Sequence, residues 1–146
     1  PVQNIAGKLV DKETSPKYYF TDNGILNLFL LDGNTSLLEN MVAVNLLRKY
    51  GRNDAVYFYN QSIEVDFYIP DDYTAIQVCY NLDNSDGTFD REVKALLKIT
   101  EVLECKNLLI ITRDTERTVE INDKTIEVIP VWKWLLMLNH EQNDEK

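Results

Sequence analysis

The sequence predicts a single α/β domain in which a mixed sheet is flanked by helices, with core elements in the order α-β-β-β-α-β. Three observations predict it. A strong helical segment, Leu37 to Tyr50, is followed at once by three short strand-like runs. A second helix with one apolar stripe comes next, from Phe89 to Leu103. That helix leads into Asn107–Thr112 (NLLIIT), a continuous apolar run of the kind that forms a strand covered on both faces. A helix between two strands implies a right-handed crossover and therefore a parallel pair.

Length and composition fit this class. The 146 residues suit one domain, and 45% hydrophobic with 27% charged residues is an ordinary globular balance. No apolar run approaches the ~20 residues of a membrane helix, so no membrane is expected as a partner. Pro1 to Lys12 lacks a charged start followed by an apolar stretch, so it does not read as a secretory signal. The missing initiator Met suggests a fragment or a processed chain. Cys79 and Cys105 make neither a disulfide framework nor a zinc pattern, which points to a reducing compartment and a cytoplasmic location. The net charge of −9 argues against nucleic-acid binding by the isolated domain, because such binders carry a basic stripe that displaces counterions from phosphate. The small basic cluster Arg48, Lys49 and Arg52 reads as a solvated helix end that complements the helix dipole.

Each element has a local cause. Residues 1–35 form an N-terminal lead-in segment, with a short aromatic strand at Lys17–Thr21 and a short helix at Ile25–Leu31. The domain proper is placed at 36–138. Ser36 is positioned to cap the first long helix, with Glu39 three residues later at the capping-box spacing, and Gly51 ends it. Ala55–Tyr59, Ile63–Ile69 and Thr74–Tyr80 read as an antiparallel meander. In the second of these, Ile63, Val65, Phe67 and Ile69 alternate with Glu64, Asp66 and Tyr68. Thr118–Ile121 and Thr125–Ile129 read as a hairpin, and Pro130 leads into a last helix, Val131–Leu138, bearing Trp132 and Trp134. Both tryptophans read as packing residues. Residues 139–146 are a polar tail, where His140, the one histidine, is expected to be solvated.

Six segments together resemble a known family: KYYFTDNG (17–24), LLENMVAVNLL (37–47), IEVDFYI (63–69), AIQVCY (75–80), REVKALL (91–97) and VIPVWKWLL (128–136). Their order and spacing resemble the uncharacterised C-terminal domain of prokaryotic AAA-type ATPases, a member of the PD-(D/E)xK superfamily. The resemblance implies a restriction-endonuclease-like core. It also implies a nuclease site with an acidic residue on the second strand and an acid-x-lysine pair on the third. Two carboxylates hold Mg²⁺ beside a phosphate, and the lysine orients the attacking water. A glutamate of the first helix often joins them.

On that pattern Glu39 matches the helix glutamate and Asp66 the strand carboxylate. Gln77 stands where the third-strand acid belongs and Cys79 where the lysine belongs. Glu64, two residues from Asp66, can partly restore the charge, and Lys94 on the next helix is a candidate migrated lysine. Plainer roles stay open for each: Glu39 as a capping-box partner, Asp66 as an outward strand residue, Cys79 as core, Lys94 on a solvated face. The degenerate site implies a catalytically silent module with no cofactor, or at most weak Mg²⁺ at Glu39, Asp66 and Gln77. The alternative is a divergent metal-dependent nuclease using those three. No GxxxxGK[ST] phosphate loop occurs, so the resemblance places the ATPase module upstream in the same chain, as a partner. Another protein or a second copy is the further expected partner.

Overall fold

The computed structural model describes residues 1–6, 15–27, 33–51, 54–83 and 85–144. It is an α/β structure built on one mixed seven-stranded sheet in the order β1-β2-β3-β4-β5-β7-β6. The strands are β1 (Gln3–Asn4), β2 (Tyr57–Asn60), β3 (Glu64–Ile69), β4 (Thr74–Val78), β5 (Asn107–Thr112), β6 (Arg117–Ile121) and β7 (Lys124–Pro130). The helices are α1 (Asn23–Asn27), α2 (Asn34–Tyr50), α3 (Thr88–Ile99) and α4 (Val131–Asp144).

The expected meander is present, with β2 antiparallel to β3 and β3 to β4. Helix α3 then crosses over so that β5 lies parallel to β4. The hairpin β6–β7 extends the same sheet, because β7 pairs parallel with β5 and leaves β6 at the edge. Two cores result. On one face, Leu38, Val42 and Leu46 of α2 and Trp134 and Leu138 of α4 pack on Phe58, Phe67, Ile69, Ile76 and Ile111. On the other, Val93, Leu96 and Ile99 of α3 pack on Val65, Tyr68, Ala75, Cys79, Ile110 and Val128. The i, i+4, i+8 spacing of the α2 trio is what aims it at the sheet.

The N-terminal third departs from the sequence-based expectation. Lys17–Thr21 is not a strand; Lys17 makes a single antiparallel bridge to Val2. Instead Gln3–Asn4 pairs parallel with β2, and the buried Asn4 side chain accepts from Asn60 N (3.1 Å) and donates to Asn60 O (3.0 Å). The short helix begins earlier, at Asn23, and residues 28–31 of the expected segment lie outside the described residues, as does Arg52. The first long helix begins at Asn34, with Leu37 N–H bonding Gly33 O, so Ser36 is inside it and no side chain caps it. Its end is as expected: Gly51 sits at φ 61° and its N–H closes on Leu47 O. Helix α3 stops at Ile99, short of Leu103, and α4 runs on to Asp144, past the tail boundary drawn at 138.

The central irregularity is in β3. Tyr57 pairs with Tyr68 and Tyr59 with Val65, so Asp66 and Phe67 together stand opposite Phe58. This bulge reverses the facing of the residues before it. Val65 enters the α3 core while Phe67 enters the opposite core, although simple alternation puts them on one face.

Candidate functional site: a carboxylate cleft with an internal cation

Where the bulge ends, β3 and β4 part. Regular pairing stops at Phe67–Ile76. Beyond it, side chains bridge the strands. Gln77 Oε1 accepts from Asp66 N (2.9 Å), and Gln77 Nε2 donates to Glu64 O (3.0 Å). Asp66 Oδ2 accepts from Val78 N (2.7 Å). Gln77 is 4% exposed, so both bonds are made by a buried side chain. A side-chain amide donates from one end and accepts at the other without charge.

The splay opens a cleft of about 600 Å³ between the start of α2, the ends of β3 and β4, and the outer side of α3. One wall carries Glu39, Glu64, Asp66 and Gln77; the other carries Arg91, Glu92, Lys94 and Lys98. The structure thus brings Glu39, Glu64, Asp66 and Gln77 to one place and adds Lys94 from across the cleft. Cys79 is elsewhere. It is buried in the α3 core, outside the cleft lining, with Sγ directed to Asn81 O (3.0 Å), and burial pushes its thiol up to about 11.

Glu39 does not close a capping box. Its carboxylate accepts from the Tyr19 hydroxyl (2.8 Å) and lies 3.7 Å from Lys17 Nζ. Lys17 Nζ also bonds Glu64 Oε1 at 2.9 Å and lies over the Phe58 ring. Burial alone lowers the Lys17 ammonium's pKa, but the Glu64 hydrogen bond and the charges of Glu39 and Asp66 outweigh it, and the net shift is upward. Burial, followed by the charge of Glu39, pushes Asp66 up to about 8 against the opposing pull of the Val78 amide and Lys17. Tyr19 is shifted upward as well, by burial first and then by Glu39, which keeps it a hydrogen-bond donor.

The sequence reading missed Lys17 and Tyr19, which KYYFTDNG carries in plain view. The signal was a cation followed by three aromatics, Lys17 to Phe20, just before the first helix. Assigning that run to a strand hid the contact with Glu39 and Glu64, which lie 22 and 47 residues away in sequence. Among the described residues, no three His, Cys, Asp or Glu side chains are arranged to hold a metal ion. What the cluster holds is the Lys17 ammonium.

Part of the chain is similar to the uncharacterised protein MJ1544 of Methanocaldococcus jannaschii. The two are 36% identical over 109 residues, which is 68% of this chain and 24% of that protein. The chain therefore spans about a quarter of the relative it matches. No known family's sequence profile matches the chain, and no solved structure matches it. Among the described residues, no helix is long and apolar enough to cross a membrane.

Proposed function

We propose that this chain is a non-catalytic module with a restriction-endonuclease-like core, carried at the C-terminal end of a longer ATP-binding protein and used for interaction or assembly. The observation that carries the reading is the engagement of Gln77. Both ends of its amide are bonded to the main chain of β3, so the position that supplies a carboxylate in an active site of this pattern serves here to tie two parting strands together. The neighbouring groups support it. Asp66 is turned onto the Val78 amide, Cys79 is buried away from the cleft, and the carboxylates of Glu39 and Glu64 share the Lys17 ammonium. The order α2-β2-β3-β4-α3-β5, with an antiparallel meander followed by a parallel partner, supports the core assignment. The length of the archaeal relative supports a place within a longer protein, where an ATPase module of the same chain is the first expected partner. Such a module has no resident cofactor and binds Mg²⁺ at millimolar strength or not at all. Cytoplasmic location belongs to the same reading.

One observation favours a second reading, a divergent metal-dependent nuclease using Glu39, Asp66 and Gln77. Lys94 faces the same cleft, and neither it nor Lys98 makes an ion pair among the described residues. A cation there is placed to stabilise negative charge developing on a substrate. Incubation with single- and double-stranded DNA and RNA, with Mg²⁺ or Mn²⁺, separates the two. The non-catalytic reading expects intact substrate; cleavage lost in both Asp66→Ala and Lys94→Ala establishes the second.

A further inference from the structure

We propose that residues 15–20 form a strap whose Lys17 ammonium keeps the carboxylate wall of the cleft closed to outside cations. The inference rests on the reading that the cleft has no resident metal, and it concerns what holds it that way.

The strap is secured at several points. Lys17 N and O exchange bonds with Val2 O and N at 2.9 and 2.7 Å, which anchors the strap beside β1. The Tyr19 hydroxyl reaches Glu39 on α2, and its ring lies 5.7 Å from that of Phe67. Asn40, 3% exposed, grips the main chain of Phe20 from both sides: its Oδ1 accepts from Phe20 N and its Nδ2 donates to Phe20 O, each at 2.8 Å. A segment with no strand of its own is thus held like one, by an amide that imitates a neighbouring strand. These anchors leave Lys17 at one location, between Glu39 of α2 and Glu64 of β3.

Lys17 is not among the residues lining the cleft; it engages Glu39 and Glu64 from the strap. Both carboxylates do face the cleft, but the Lys17 ammonium already sits against them, 2.9 Å from Glu64 Oε1 and 3.7 Å from Glu39 Oε1, and offsets one of their two charges. A tethered ammonium has a large advantage over a free ion, because anchoring it has already removed most of its freedom and its effective concentration is high. A divalent ion that draws on Glu39 and Glu64 from the cleft competes with it. Where Lys17 is seated about nine-tenths of the time, the apparent affinity of the wall for an outside cation falls about tenfold.

Mn²⁺ is the probe. Its binding to the whole chain is followed by paramagnetic broadening of the Glu64, Asp66 and Val78 amide signals, in the unaltered protein and in Lys17→Met, which keeps the packing on Phe58 but removes the charge. The proposal expects Lys17→Met to bind Mn²⁺ about tenfold more tightly at these amides, and Lys17→Arg to behave like the parent. Equal broadening in Lys17→Met and the parent overturns it. A second measurement needs no variant: the Lys17 ammonium of the parent should exchange its protons more slowly than those of Lys94 and Lys98. Exchange as fast as theirs overturns the proposal even if Lys17→Met does not fold. Nucleic-acid cleavage by the parent would count against the non-catalytic reading, while these two measurements decide the strap.

Discussion

Replacing Gln77 with alanine removes two hydrogen bonds and nothing else of comparable size. The bonds at stake are those to Asp66 N and Glu64 O, 2.9 and 3.0 Å long, formed by a side chain that is 4% exposed. Regular pairing of β3 with β4 has ended by this point, so no neighbouring strand stands ready to replace the lost partners. A buried main-chain group left without a partner costs about 1–3 kcal/mol. Glu64 is itself exposed, so water can reach its carbonyl more easily than the Asp66 amide. The expected loss is therefore about 3 kcal/mol rather than the full sum. For a chain of this length that corresponds to a fall of roughly 6–12 °C in Tm. Gln77→Glu should lose nearly as much for another reason. It keeps an acceptor for Asp66 N, but loses the donor to Glu64 O and sets a second carboxylate beside one that burial already disfavours. Its deficit should shrink as the pH falls from 8 to 5, whereas that of Gln77→Ala should not. Urea titrations of the three proteins at both pH values provide the comparison. A Gln77→Ala protein within about 1 kcal/mol of the parent would show that the amide does not tie the strands and would remove the main support for the non-catalytic reading.

Other outcomes follow from the same geometry. Asp66 has a folded value of about 8 against 3.8 in the open chain, so the folded state holds a proton that the unfolded state has released between those values. Its contribution to stability is therefore greatest below about pH 4 and declines as pH rises to 8. At about 1.4 kcal/mol per unit the swing is on the order of a few kcal/mol. Asp66→Asn, which can still accept from Val78 N, should flatten that part of a Tm–pH curve, and parallel curves would refute the assignment. Cys79→Lys should destabilise the fold by several kcal/mol, because it buries an ammonium in the α3 core. The paired change Gln77→Glu with Cys79→Lys should then yield an unstable protein and no gain of nuclease activity, as read by circular dichroism and cleavage together. Asn40→Ala should lose about 2–4 kcal/mol and expose the Phe20 amide to hydrogen exchange, since its side chain holds Phe20 N, Phe20 O and Asn23 Oδ1. Unchanged protection at Phe20 would contradict that role.

What the sequence conveyed depended on how local the cause was. Asn107–Thr112 agrees with β5 to the residue, because a continuous apolar run, LLII, is bounded by a polar residue at each end. Gly51 was legible because a left-handed residue at a helix end nearly demands glycine. The β3 bulge was not legible: the alternation through Ile63, Val65, Phe67 and Ile69 is regular, and the extra residue exists only relative to β2. Tyr68, apolar where the pattern called for a polar residue, was its one trace. Strand β1 left no pattern because two polar residues cannot show a period, and its pairing is tertiary. In the cleft, Glu39, Asp66 and Gln77 were each singled out by the resemblance to the nuclease pattern, and Glu64 by its place two residues from Asp66. Their bonding was not, because Gln77 reads as a lost acid until its two main-chain partners are seen. Lys17 and Asn40 act across loops and chain separations that no short window spans.

The cleavage assay bears most directly on the central claim that the cleft is structural and not catalytic. Purified protein is incubated with single- and double-stranded DNA and RNA and with Mg²⁺ or Mn²⁺, beside Asp66→Ala and Lys94→Ala. The account predicts intact substrate in every lane. Metal-dependent products from the parent that vanish in both variants would contradict it, and would make the cleft an active site in which Lys94 replaces the missing strand lysine.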